Sequence, residues 1–263
     1  MRIVVSSTAM ALTQQQFDDW DSSRQQQWIK DHPTSKFGQN PEHQNFNTGS
    51  KKPIAKPKST SQLPMKIRLK VSSMLDKLAD MTDKAKAEGS KPPNFDLCDI
   101  SVPGTNLFCS GNLGIPREKM PQLKGMAMPG SKAEKYGEDG KEVDAEQHFI
   151  KDLENKGVDM KKRYIDASLL RSTQSQLVGA KVAKMTEVLK KNPDHPGITA
   201  PIFVSKDGYI LDGHHRWAAQ VGLGLATGKP VKMKTIVVDL NGKQLVNRAN
   251  KFCDEFGIQQ KGA

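Results

Sequence analysis

The residues best suited to chemistry stand together at Asp212-Gly213-His214-His215-Arg216, which brings a carboxylate, two imidazoles and a guanidinium around one glycine. The apolar run Pro201–Val204, the turn signal Lys206-Asp207-Gly208 and a second apolar run, Tyr209–Leu211, predict a hairpin just ahead of them. Asp212-Gly213 then breaks the strand. His214 to Val221 contains no Pro or Gly, so a helix is expected whose first turn carries His214, His215 and Arg216. A strand, a glycine bend and a helix N-terminus in succession aim backbone N–H groups, a guanidinium and two imidazoles at one spot, and such a spot suits a phosphate or another anion. The same run also reads as a solvated turn, with Trp217-Ala-Ala simply packed on a sheet.

Phosphoryl chemistry needs charge neutralisation, a positioned nucleophile and a base or metal ligand. Arg216 and the N–H groups near Gly213 supply the first. Asp212 is the candidate Mg²⁺ ligand or base. His214 and His215 join it as candidate catalytic acids or bases, because a free imidazole titrates near neutrality. As a zinc pair the two histidines fit poorly, since adjacent helical residues point about 100° apart.

The stretch Ile210-Leu-Asp-Gly-His-His-Arg-Trp-Ala-Ala219 resembles the signature box of the ParB/sulfiredoxin superfamily, in which a glycine, two variable polar residues and an arginine open a helix after a hairpin. The form Asp-Gly-His-His-Arg is similar to a box in phage and bacterial proteins. The resemblance spans about Tyr164 to Asp239. It implies that Gly213 and Arg216 hold nucleotide or backbone phosphates. Sulfiredoxins have a catalytic cysteine where this chain has His214, so sulfinic acid reduction is not expected. The other branches are CTP-hydrolysing partition proteins, ParB-like nucleases and kinases of free serine. A partition protein is disfavoured, because no helix-turn-helix segment follows the box.

Around the box, Tyr164–Leu170 reads as a strand and a turn. Arg171–Gln176 is a polar approach to a helix over Leu177–Lys191, with Val178, Val182, Met185, Val188 and Leu189 facing inward. In the resembling family this region forms a second wall of the site. Gln174, Ser175 and Lys181 are therefore candidate nucleotide-binding residues, Gln and Ser for hydroxyl or amide groups and Lys for phosphate. Lys181 also reads as part of a solvated helix face. Lys232–Asp239 is a strand that adds to the hairpin sheet, Asn241-Gly242 turns the chain, and Gln244–Phe256 closes it as a helix. Gly222-Leu-Gly224 reads as a helix stop. The fold class expected is α+β, a small mixed sheet with flanking helices, preceded by a helical, loop-rich extension.

Four segments are expected: a small helical leader over 1–40, a flexible linker over 41–63, a helix plus loop-rich extension covering the core over 64–159, and a ParB/sulfiredoxin-like domain over 160–263. Trp28-Ile-Lys-Asp-His-Pro-Thr-Ser-Lys-Phe37 resembles a short module of phage proteins and suggests a phage or prophage source. The linker is rich in Asn, Gln, Ser, Pro and Lys. Ile67, Val71, Met74, Leu75, Leu78 and Met81 mark one amphipathic helix over Met65–Ala87, stopped by Gly89-Ser-Lys-Pro-Pro93. The Gly- and Pro-rich segment 94–130 reads either as a lid over the site, with Arg117 and Lys119 adding charge, or as an arm over a sheet edge. Ala145–Asn155 is a short helix.

A formal net charge of +11 over 263 residues favours an anionic partner, either a nucleotide or nucleic acid, and a lysine-rich solvated surface has the same charge. Cys98, Cys109 and Cys253 form no CxxC pair, so reduced thiols in a cytoplasmic protein are expected. The apolar stretch Ile3–Leu12 is too short to span a bilayer, and no membrane partner is expected. The favoured function is nucleotide-dependent phosphotransfer or nucleotide hydrolysis, with ATP, ADP or CTP and Mg²⁺. The alternatives are a ParB-like DNA nuclease and a non-catalytic nucleotide- or DNA-binding, virion-associated protein.

Overall fold

Strand β4 (Ile202–Ser205) is buried along its whole length, as a continuous apolar run demands when both faces of a strand are covered. The computed structural model describes residues 59–100, 107–137 and 141–259, all within one unit, Ile54–Ala263. The leader over 1–40 and most of the expected linker lie outside the described residues. The helices are α1 (Met65–Ala87), α2 (Glu146–Asn155), α3 (Gly179–Lys191), the single turn α4 (Pro196–Thr199), α5 (His214–Thr227) and α6 (Gly242–Phe256). The remaining strands are β1 (Lys124–Gly125), β2 (Val143–Asp144), β3 (Met160–Asp166) and β5 (Lys232–Val238).

The main sheet has the order β3-β5-β4, with β3 antiparallel and β4 parallel to β5. The expected hairpin forms, with a short second arm. The N–H of Leu211 donates to the Phe203 carbonyl at 2.9 Å, while Ile210 turns its own N–H to the Arg171 carbonyl. Because successive strand residues face opposite ways, Ile202 and Val204 join a core with α1, α3 and α5. Phe203 enters a second core with α2 and α6. The molecule is thus a mixed α+β fold with a small sheet between flanking helices.

Three sequence expectations are corrected. The segment 64–159 completes both cores rather than covering a finished one: Val71 and Leu75 pack in the core of Trp217, and Phe149 and Leu153 in that of Phe203. The linker also ends before residue 63, since the Ser59 hydroxyl donates to the Asp166 carboxylate and Thr60 and Leu63 are buried. Second, α5 runs through Gly222 and Gly224 and stops only at Gly228. A Cβ on Gly222 would lie 2.6 Å from Thr186 Oγ1, and one on Gly224 2.8 Å from Thr60 Oγ1. Close packing there outweighs the helix penalty of about 1 kcal/mol per glycine. Third, Cys98 and Cys109 are disulfide-bonded, with Cα atoms 4.7 Å apart. Their separation of 11 residues gives no motif from which to read the pairing. Cys253 is free and buried, and burial pushes its thiol up to about 12.

Among the described residues no helix is long and apolar enough to cross a membrane.

Candidate functional site

The bend before α5 requires glycine twice over. Gly213 has φ +87°, and a Cβ there would lie 2.4 Å from Ile202 Cγ2, a position open only to a residue without a side chain. Trp217 fixes the first turn of the helix: its ring is fully buried, and its indole N–H donates to the Ala167 carbonyl at 2.6 Å. No side chain caps α5 and its first turn holds no acid, so its leading N–H groups have no capping side chain. They border a cleft of about 290 Å³.

The opposite wall comes from the loop-rich segment, held by two small pairings. The N–H of Ile115 donates to the Thr173 carbonyl and that of Ser175 to the Ile115 carbonyl, which sets Arg117 beside the cleft. The β1–β2 ribbon, with Lys124 opposite Asp144, carries Lys124 to the cleft and leads directly into α2, which begins at Glu146. Gln122 and Glu142 line the same wall. Arg117 contributes charge as expected. Lys119 is not in the lining, and its carbonyl accepts from the Asn250 amide.

The box residues meet at this cleft, but their polar atoms are largely engaged within the fold. His214 is 5% exposed. Its Nε2 accepts from the Thr173 N–H at 3.2 Å and lies 2.8 Å from the Thr173 hydroxyl, which also reaches the Ile210 carbonyl at 2.7 Å. Burial first, then the charge of His215, pushes its pKa down to about 3. The Nε2 of His215 accepts from the Val178 N–H at 3.3 Å, and burial, Lys181 and Arg117 depress that ring to about 4. Both imidazoles are therefore neutral at pH 7, and the expectation that they titrate near neutrality is corrected: desolvation removes the charged form.

Arg216 donates from Nη2 to Asp212 Oδ2 at 2.8 Å, with the Asp212 side chain 41% and the Arg216 side chain 19% exposed. The candidate metal ligand and the candidate phosphate holder thus neutralise one another. Gln174 lines the cleft, although its amide donates to the Gln176 carbonyl at 2.6 Å. Lys181 lines it too. Ser175 stands outside that lining.

Glu146 is the group that the sequence did not single out. Half-buried burial, Asp144 and Asp212 raise its pKa, while Arg216 and Lys124 pull it down. The Asp144 carboxylate also accepts the Glu146 N–H at 3.1 Å. The charged lining of the cleft is Arg117, Lys124, Glu142, Lys181, Asp212 and Arg216; Glu146 stands outside that lining, close enough to Asp212 and Arg216 to feel both charges. Nothing in the local sequence ties Glu146 to a box so far along the chain.

Among the described residues no three or more His, Cys, Asp or Glu side chains are grouped to hold a metal ion. No protein-family model, curated protein or solved structure matches the chain.

Proposed function

We propose that the cleft binds the phosphates of a nucleotide and catalyses phosphoryl transfer to a hydroxyl or to water, on a ParB/sulfiredoxin-like fold. The observation that carries this is the convergence of an uncapped helix N-terminus, Arg117, Lys181 and Arg216 on one cleft, with a carboxylate of raised pKa, Glu146, within the field of the cleft residues Asp212 and Arg216. Cations and N–H dipoles aimed at one place favour the charge that develops on a transferring phosphoryl group. A carboxylate with raised pKa is a stronger base than an ordinary one.

Glu146 accepts the proton of the attacking hydroxyl as its oxygen bonds to the terminal phosphorus. The bond from that phosphorus to the leaving phosphate oxygen breaks, and its electron pair stays with the shortened nucleotide. Arg117 and Lys181 neutralise the phosphates during this step. His214 and His215 hold the frame as neutral acceptors, because rings depressed to about 3 and about 4 take up no second proton at pH 7. A Mg²⁺ ion carried by the phosphates suits hard carboxylate oxygens, and Asp212 would hold it; when bound, it adds charge neutralisation.

A cytoplasmic setting belongs to the same proposal. The Cys98–Cys109 bond argues for the virion-associated alternative instead, since cytosolic thiols are kept reduced. Release of labelled phosphate from ATP, ADP or CTP with Mg²⁺ tests the function. Glu146→Gln should retain nucleotide binding and lose at least about a hundredfold in rate. Full turnover by that variant, or none by the wild type, contradicts the proposal.

A further inference from the structure

The outer part of the main sheet bears a second cationic surface, and none of its residues lines the cleft. In the β3–β5 ladder, Tyr164 lies opposite Lys234, Lys162 opposite Ile236 and Asp166 opposite Lys232. Directly paired and alternate residues share a face. Lys162, Tyr164, Lys232 and Lys234 therefore stand on one face, about 6.6 Å apart along each strand. All four are exposed, Tyr164 to 67% of its surface. Asp166, the acid on this face, is engaged by the hydroxyls of Ser59 and Ser168.

These lysines differ from three on α3. On α3, Lys184, Lys190 and Lys191 are each paired with a carboxylate. Among the described residues, Lys162, Lys232 and Lys234 form no ion pair. Charge on an edge strand guards against pairing with another sheet. At Lys232 and Lys234 β5 pairs with β3 alone, since β4 meets it only from Thr235 to Val238, so edge protection accounts for all three lysines but not for an exposed aromatic ring between them.

We propose that this face binds single-stranded nucleic acid, with an unpaired base stacked on Tyr164 and backbone phosphates on the three lysines. Stacking on an aromatic ring beside a row of cations is how single strands are held without sequence preference. A duplex offers no unpaired base to the ring. On the reverse face of β3, Lys161 and Arg163 line a groove of about 460 Å³ together with Lys206. Asp159 and Asp239 line that groove too, and Asp239 pairs with Lys206 at 3.3 Å, so its charge is largely balanced and the cationic surface is the Tyr164 face.

The test is fluorescence anisotropy of the full chain with a labelled oligothymidylate of about 20 nucleotides, over a series of salt concentrations. Tyr164→Ala should weaken binding about tenfold, and Tyr164→Phe should restore it. Lys162→Ala with Lys234→Ala should reduce the salt slope by about 1.4. Arg117→Ala, in the cleft, should leave binding unchanged, which separates this surface from the nucleotide site. Wild-type affinity in both the Tyr164→Ala and the double-lysine variants would overturn the proposal. So would tighter binding of a duplex of equal length, or binding of phosphatidylserine vesicles with none of the oligonucleotide.

Discussion

The two walls of the cleft are built in opposite ways. The α5 wall is formed by the most conspicuous residues of the sequence, yet they spend their polar atoms on the fold: His214 on Thr173, His215 on Val178, Arg216 on Asp212. The facing wall comes from an irregular segment with little pattern, and it brings Arg117, Lys124 and Glu142 to the cleft. The difference teaches that a recognisable box can serve first as a frame. Chemistry in such a cleft depends on groups whose charge is exposed to a ligand or tuned by neighbours.

If the α5 wall is a frame, damage to it should appear as lost stability. The largest effect is expected for Gly213→Ala, which forces a side chain into a left-handed backbone and against Ile202. Unfolding in urea should show a loss of about 3 kcal/mol or more. His214→Ala should follow, at about 2 kcal/mol, because it opens a cavity and leaves the Thr173 N–H without its acceptor.

Acid should probe the same wall. Both rings have folded pKa values of about 3 and about 4, below the unfolded value near 6.5, so the unfolded chain takes up protons first as pH falls. Their contribution to stability is complete above about pH 6.5 and declines toward pH 4, by about 1.4 kcal/mol per pH unit for each ring. Melting temperatures across that range should fall, and His214→Gln should flatten the fall. Rising stability in acid would break the distinction between the walls.

The smallest effect should come from Asp212→Asn. A half-exposed ion pair contributes about 0–1 kcal/mol, so stability should barely change. Release of Arg216 from its carboxylate should tighten binding of metal-free inorganic pyrophosphate, measured by calorimetry. Weaker binding would instead assign Asp212 a direct part in holding the ligand.

Much of this arrangement was legible in the sequence where the pattern is local. Periodicity marked α1 to the residue, and the turn at Lys206–Gly208 and the bend at Gly213 located the hairpin and the start of α5. Features that depend on distant contacts were not legible. Gly222 and Gly224 resemble a stop until Thr186 and Thr60 are seen against them. Burial turned two ordinary histidines into neutral acceptors. Glu146 acquires its environment from Asp212 and Arg216 only after the sheet brings α2 to the box.

The measurement that tests the phosphate-binding cleft most directly is the melting temperature of the protein with ATP, ADP or CTP and Mg²⁺, beside the Arg117→Ala variant. A ligand that binds only the folded chain raises that temperature. At least one nucleotide should raise it for the wild type and fail to do so for the variant. An equal rise in both proteins, or no rise with any nucleotide, would contradict a phosphate site in this cleft.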